Sequence, residues 1–267
     1  MMKIIFLLLL SLPLKAEVTT IEVAGRKSAT VYLPTDFAHK KGLPLVISIH
    51  GIMSNPKIQE RIFPAKNLID KKGFVLITPF GKRNYIGLRF WNASEKCCDF
   101  FNQNPDDISY IKELIIQSQK KFFIDPKRVF LVGHSNGGIL AYRFACEASE
   151  FISGIVSIAG TNVFEEINCN PSKPISILQI HGKNDRIIKY DGSLKRGFPS
   201  ALDSILPWSK INNCQEAIES KITPNLTKLR FINCDKDKSV ELWSLNDRNH
   251  NKSLGSELTQ EILNYLF

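Results

Sequence analysis

Five short apolar runs recur along this chain with almost no internal alternation: Leu43–His50 (LPLVISIH), Gly73–Thr78 (GFVLIT), Val129–Val132 (VFLV), Gly154–Ile158 (GIVSI) and Ile175–Ile180 (ISILQI). A strand with one wet face alternates apolar and polar side chains, whereas a strand covered on both faces has no polar side, so these runs belong inside a mainly parallel sheet. Helical spacing appears between them. Asp106–Lys121 gathers Ile108, Ile111, Leu114, Ile115 and Ser118 near one face, and Asn136–Ser149 does the same with Ile139, Leu140, Tyr142 and Cys146. Ser28–Leu33, stopped by Pro34, and Ser239–Leu245 read as further strands, and Gly255–Phe267 as a closing helix. Strands separated by helices predict an α/β fold, with helices on both faces of the sheet and functional residues at the C-terminal strand ends.

The chain has 267 residues, 43% hydrophobic and 23% charged, enough for one large core and far from the composition of a disordered, collagenous or coiled-coil chain. No linker, repeat or charge block marks a second domain. Residues 1–16 have the shape of a secretory signal: Met-Met-Lys, an apolar run from Ile4 to Leu14 too short to span a bilayer, and Ala16 before the expected cut. The mature chain is therefore expected as a single domain over 17–267, secreted or periplasmic. No later run approaches the roughly 20 apolar residues of a membrane helix, so no stable membrane insertion is expected after cleavage. Lys and Arg exceed Asp and Glu by 35 to 26, a net charge of +9. The basic residues are scattered in pairs such as Lys40-Lys41 and Lys71-Lys72, without a stripe interleaved with aromatics, so no nucleic-acid partner is expected.

Export shapes the reading of the six cysteines, Cys97, Cys98, Cys146, Cys169, Cys214 and Cys234. An even count in an oxidising compartment favours disulfides, and no Cys-x-x-Cys or His-x-x-x-His spacing offers a metal site. Neighbouring residues on extended backbone point to opposite sides, so Cys97 and Cys98 are not expected to bond each other. If Cys214 pairs with Cys234, the other four form two bridges linking Cys97 and Cys98 to Cys146 and Cys169, in an order the sequence leaves open.

After the run Val129–Val132 comes Gly133-His134-Ser135-Asn136-Gly137-Gly138, a Gly-x-Ser-x-Gly motif between a predicted strand and a predicted helix. A sharp turn there lifts a serine Oγ out of the backbone, and glycines on either side let strand and helix approach. A serine hydroxyl is a weak nucleophile and needs an imidazole base oriented by a carboxylate. Of the five histidines, His50 and His181 precede glycines at strand ends, His134 lies inside the turn, and His39 precedes the core strands. His250, after the last strand, is left as the base. The acid must fall between residues 135 and 250. Asp185, in the short loop after Ile175–Ile180, fits best, with Asp191 as the alternative. Oxyanion donors are assigned to the backbone N–H groups of Asn136 and of Ile52, in the loop His50-Gly51-Ile52-Met53. This chemistry needs no cofactor.

Those residues carry a resemblance. The chain, from about Val23 onward, resembles the secreted polyhydroxybutyrate depolymerase and feruloyl esterase group of α/β-hydrolases, through PLVISIHG, WNASEKCCDF, DDISYI, DPKRVFLVGHSNGGILAYRFACE, ISILQIHGKNDRIIKY and VELWSLNDRNH. It implies the α/β-hydrolase fold and a triad of Ser135, Asp185 and His250, and cysteines recur at such positions in that group. Two segments depart from it: Asn246–Asn249 stands where the group is usually rich in glycine, and Ile52-Met53-Ser54 where it often has smaller residues. The pair Asp106-Asp107, shared with the group, reads as a helix N-terminus rather than a two-carboxylate site.

The function expected is a secreted serine esterase hydrolysing carboxylic esters, of short hydroxyacyl or feruloyl type, through an acyl-enzyme. Its partner is a small or oligomeric ester, and soluble esters are expected because no binding module follows the closing helix. Trp91, on the loop before the cysteine pair, is the candidate for an exposed substrate wall, with a buried packing residue as the alternative. The rival readings are a peptidase of the same fold, told apart by peptide amides, and a binding protein with a decayed site, told apart by failure of a fluorophosphonate to label Ser135.

Overall fold

A computed structural model describes residues 17–163 and 169–267. The expected signal sequence lies outside the described residues. Along the chain the strands are β1 (Glu17–Ile21), β2 (Ala29–Leu33), β3 (Leu43–Ile49), β4 (Val75–Thr78), β5 (Lys82–Arg83), β6 (Arg89–Phe90), β7 (Ile124–His134), β8 (Gly154–Ile158), β9 (Ser176–Gly182), β10 (Glu216–Thr223), β11 (Leu226–Ile232) and β12 (Val240–Leu245). The helices are α1 (Pro56–Ile62), α2 (Ile69–Lys72), α3 (Asp107–Phe122), α4 (Asn136–Glu147), α5 (Leu206–Ile211) and α6 (Gly255–Leu266).

Ten of these strands form one sheet in the order β1-β2-β4-β3-β7-β8-β9-β12-β11-β10. The middle six, β4 to β12, are parallel. Antiparallel strands flank them: β2 and β1 beyond β4, β11 and β10 beyond β12. Every residue of β3, β4, β8 and β12 is buried, which is why their sequences lack alternation. Successive β3 residues serve opposite faces. Leu45, Ile47 and Ile49 join the core under α3 and α4, whereas Val46 joins the core under α6 with Phe74, Phe130 and Ile262.

Local signals set the element ends that matter for the site. Asp106 caps α3, its carboxylate accepting from Ser109 N at 2.9 Å. Asp107 is committed structurally, being paired with Arg26 and accepting from Asn92 N at 2.7 Å. A small ribbon, β5–β6, leaves the end of β4 and reaches the loop after β3, where Met53 N donates to Arg89 O at 2.7 Å. No helix among the described residues is long and apolar enough to cross a membrane.

Disulfides join Cys146 to Cys169 and Cys214 to Cys234, while Cys97 bonds Cys98. The expectation that Cys97 and Cys98 would reach Cys146 and Cys169 is therefore corrected. It assumed a trans peptide, which sends neighbouring side chains apart; the peptide between Cys97 and Cys98 is cis, with Cα atoms 3.1 Å apart and both side chains on one side. Cys146, on α4, is thereby free to clamp the segment carrying Cys169. Replacing Cys146 and Cys169 together by Ala should lower unfolding stability by about 3 kcal/mol, as expected for a loop of this length. Denaturant titration of oxidised protein checks this; an unchanged midpoint would show that the bridge carries no stability.

Candidate active site

β7 ends at His134 and α4 begins at Asn136, so the whole reversal falls on Ser135, at φ 54° and ψ −120°. The turn is held by Ser135 N donating to Ile158 O at 2.8 Å and by Gly138 N and Ile139 N donating to Ser135 O at 2.8 and 3.0 Å. Space decides the flanking residues. A Cβ on Gly133 would run into the backbone of Gly137, and one on Gly137 would strike the carbonyls of Ile49 and His50 at the end of β3. Only glycine lets strand, helix and neighbouring strand meet there.

Three loops then converge on the Ser135 hydroxyl. His250, in the loop after β12, places Nε2 at 2.9 Å from Ser135 Oγ and Nδ1 at 2.7 Å from Asp185 Oδ2. Asp185 follows β9 closely and is held by its own turn, Oδ1 accepting from Ile187 N at 2.8 Å and Ile188 N at 3.0 Å. Burial by itself would push the Asp185 carboxyl up, but hydrogen bonds from His181 and His250 outweigh it and hold the group well below the usual carboxylate range. All three residues of this chain are buried, and Asp191 is exposed. An ionised carboxylate, an imidazole and a hydroxyl in this order can move a proton from Oγ to Nε2 as the oxygen attacks.

The loop after β3 lies against the turn. A Cβ on Gly51 would sit 3.2 Å from Ser135 Cβ, so the loop that continues into Ile52 passes Ser135 at Gly51, and Asn136 opens α4. His50 fixes the loop's shape: Gly81 N donates to its Nε2 at 3.0 Å, so Nδ1 carries the hydrogen and donates to Gly51 O at 2.7 Å.

Trp91 is not a substrate wall. It is fully buried, its Nε1 donating to His50 O at 2.8 Å. Its backbone is gripped by the Asn136 side chain, whose Oδ1 accepts from Trp91 N at 2.8 Å and whose Nδ2 donates to Trp91 O at 3.0 Å. A sequence shows that an aromatic lies near a site but not which way it faces, and here the indole NH faces inward to satisfy a strand-end carbonyl. Exposed apolar side chains do occur on the two loops that carry Gly51 and Asp185: Met53 is 63% and Ile187 49% exposed. Two further contributors escaped the sequence reading. His134 points its Nε2 at His250 O, 2.8 Å away, and the Asn136 side chain is the Trp91 clamp; the only sequence signal for either was a place inside the Gly-x-Ser-x-Gly turn.

Fold and site together define an α/β-hydrolase. Residues 37–196, more than half of the chain, match the family of phospholipases and carboxylesterases, and the chain belongs to that family. It is 29% identical over 86% of its length to a bifunctional acetylxylan esterase/xylanase of Neocallimastix patriciarum, and 25% identical over 84% to feruloyl esterase B of Piromyces equi. The matched chain spans 31% and 42% of the length of those two relatives. The structure superposes on an acetyl xylan esterase from Aspergillus awamori with a TM-score of 0.69 at 12% identity, covering 94% of this chain and 98% of that one. A Bacillus cereus carboxylesterase superposes with a TM-score of 0.58 at 16% identity, covering 91% and 96%. Both establish the fold.

Burial, followed by the neighbouring His250, lowers the His134 pKa to about 4. The ordinary value in an unfolded chain is about 6.5, so as pH falls from about 6.5 to about 4 the unfolded state takes a proton that the folded state refuses. The stability contributed above that window is progressively lost within it. His134→Gln keeps a donor toward His250 O but cannot titrate, so the variant's unfolding free energy should depend on pH less steeply between 4 and 6.5, by about one proton at most. Urea titrations across that range measure the slope, and equal slopes would mean that His134 protonates freely in the folded protein.

Proposed function

We propose that this chain is an exported serine esterase that hydrolyses carboxylic esters through an acyl-enzyme. The observation that carries the reading is the continuous chain of contacts from Ser135 Oγ through His250 to Asp185, mounted on a turn whose glycines leave no room for side chains. In the first half-reaction Ser135 Oγ attacks the ester carbonyl, His250 Nε2 takes its proton and returns it to the departing alcohol, and Asp185 orients the ring and stabilises the imidazolium. The oxyanion is received by the backbone N–H groups of Asn136 and Ile52. Water then repeats the sequence on the acyl-enzyme and releases the acid. Membership of the phospholipase/carboxylesterase family supports ester chemistry.

The acyl group in this reading is short or aromatic, of hydroxyacyl, acetyl or cinnamoyl type. Relatives described as acetylxylan and feruloyl esterases support that choice. Exposed apolar side chains at Met53 and Ile187, on the loops that carry Gly51 and Asp185, are compatible with it. Export is supported by the signal-like leader and by three disulfides among the described residues.

Ser135→Ala and His250→Ala should each lower ester turnover by at least ~10³, since members of a triad act as one unit. A fluorophosphonate should label the native serine and spare Ser135→Ala. Near-normal turnover by His250→Ala would remove that residue from the mechanism, and turnover confined to long-chain esters would overturn the acyl preference. Trp91→Phe retains a ring but loses the donor to His50 O, so it should reduce turnover of acetyl and cinnamoyl esters by a similar factor. A loss confined to cinnamoyl esters would restore Trp91 as a substrate contact.

A further inference from the structure

Gln179, on β9, is fully buried, and every polar atom of its amide is engaged. Oε1 accepts from the Tyr142 hydroxyl at 2.9 Å, Nε2 donates to Gly160 O at 2.9 Å, and Nε2 also faces His181 Nδ1 at 3.0 Å. A carbonyl oxygen can only accept, so Gly160 O dictates which end of the amide is nitrogen. His181 Nδ1, facing that nitrogen, is then the acceptor. The hydrogen of the imidazole must sit on Nε2, which points at two oxygens, Ile188 O at 2.8 Å and Asp185 Oδ2 at 3.4 Å. Both are acceptors. The tautomer of His181 is thus set identically from its two sides.

We propose that Gln179 is a positioning residue of the esterase: by locking His181 in the Nε2–H form it gives Asp185 a second imidazole donor and pins the loop from Asp185 to Ile188. Tyr142 lies on α4, the helix that Ser135 initiates, and so ties this relay to the nucleophile's own element. The inference rests on the triad reading. The opposite tautomer would turn a bare nitrogen lone pair toward the carboxylate and the Ile188 carbonyl and would set two donors against each other at Gln179. Repulsion at the first contact would move Asp185 away from His250, whose 2.7 Å hydrogen bond depends on where that carboxylate sits. Gln179 and Tyr142 are more than a packed core pair because a polar relay of this kind transmits donor and acceptor identity along its length.

Nitrogen NMR of the full chain with labelled histidine reads the tautomer without any substrate, and His181 should show hydrogen on Nε2 and a bare Nδ1. Gln179→Leu, which removes the donor at Nδ1, should shift it toward the other form. In ester turnover Gln179→Leu should lower kcat about 10- to 100-fold with KM within about 2-fold, and Tyr142→Phe should lower it about 2- to 5-fold. Added to Asp185→Asn, neither change should cost more than about 2-fold, because a residue acting through Asp185 has nothing left to act on. A residue that only supports the fold would cost the same factor in both backgrounds, and that result overturns the proposal, as does hydrogen on His181 Nδ1 in the native protein. Should Gln179→Leu fail to fold, Tyr142→Phe and the wild-type tautomer still decide the matter. Wild-type turnover by Asp185→Asn would instead sink the triad, and this role with it, and the NMR result would show whether the tautomer assignment survives separately.

Discussion

At the end of β7 the chain reverses within one residue, in a gap bounded by Gly133, Gly137 and the carbonyls that close β3. That close approach of three backbones is what every other part of the site is built around. It forces Ser135 to a positive φ, which presents Oγ on the side where the loops after β9 and β12 arrive. The adverse backbone geometry of one residue is sustained by the parallel sheet beneath it, whose buried strands cannot shift to relieve it.

Around that point three imidazoles do the same job in three places. Each sits at or near the C-terminal end of a parallel strand and faces a carbonyl of one loop: His50 with Gly51 O in the loop after β3, His134 with the backbone oxygen of His250, and His181 with Ile188 O beside Asp185. Burial lowers the pKa of both His50 and His134 to about 4, so these two remain uncharged at neutral pH and donate through a single fixed nitrogen. A ring that donates on one side and accepts on the other specifies direction as well as distance, which a buried apolar side chain cannot do.

Much of this was legible in the residues themselves. Uninterrupted Val- and Ile-rich runs marked the parallel strands because double-sided burial removes alternation, and the Gly-x-Ser-x-Gly spacing marked the turn because its glycines answer a steric demand. The elements that stayed hidden lack such a demand. β10 is exposed along nearly its whole length, so Glu216–Thr223 carries no apolar pattern, and α1 and α5 are too short to show a helical period. The substrate-wall reading of Trp91 and the pairing of Cys97 and Cys98 with Cys146 and Cys169 failed for a different reason. Which way an indole faces is settled by partners far away in sequence, here the His50 carbonyl and the Asn136 side chain, and the cis peptide between Cys97 and Cys98 leaves no mark in residue type or spacing.

Among the described residues the exposed β10 is an edge strand of the sheet, paired only with β11, and such an edge invites another chain to add as an eleventh strand. β10 carries charge on both faces, at Glu216 on one and Glu219 and Lys221 on the other, and its register with β11 breaks between Lys221 and Thr223. A foreign strand laid along β10 would have to bury those charges and follow that break, so the sheet is guarded against edge-to-edge aggregation by the same sequence features that conceal the strand from inspection.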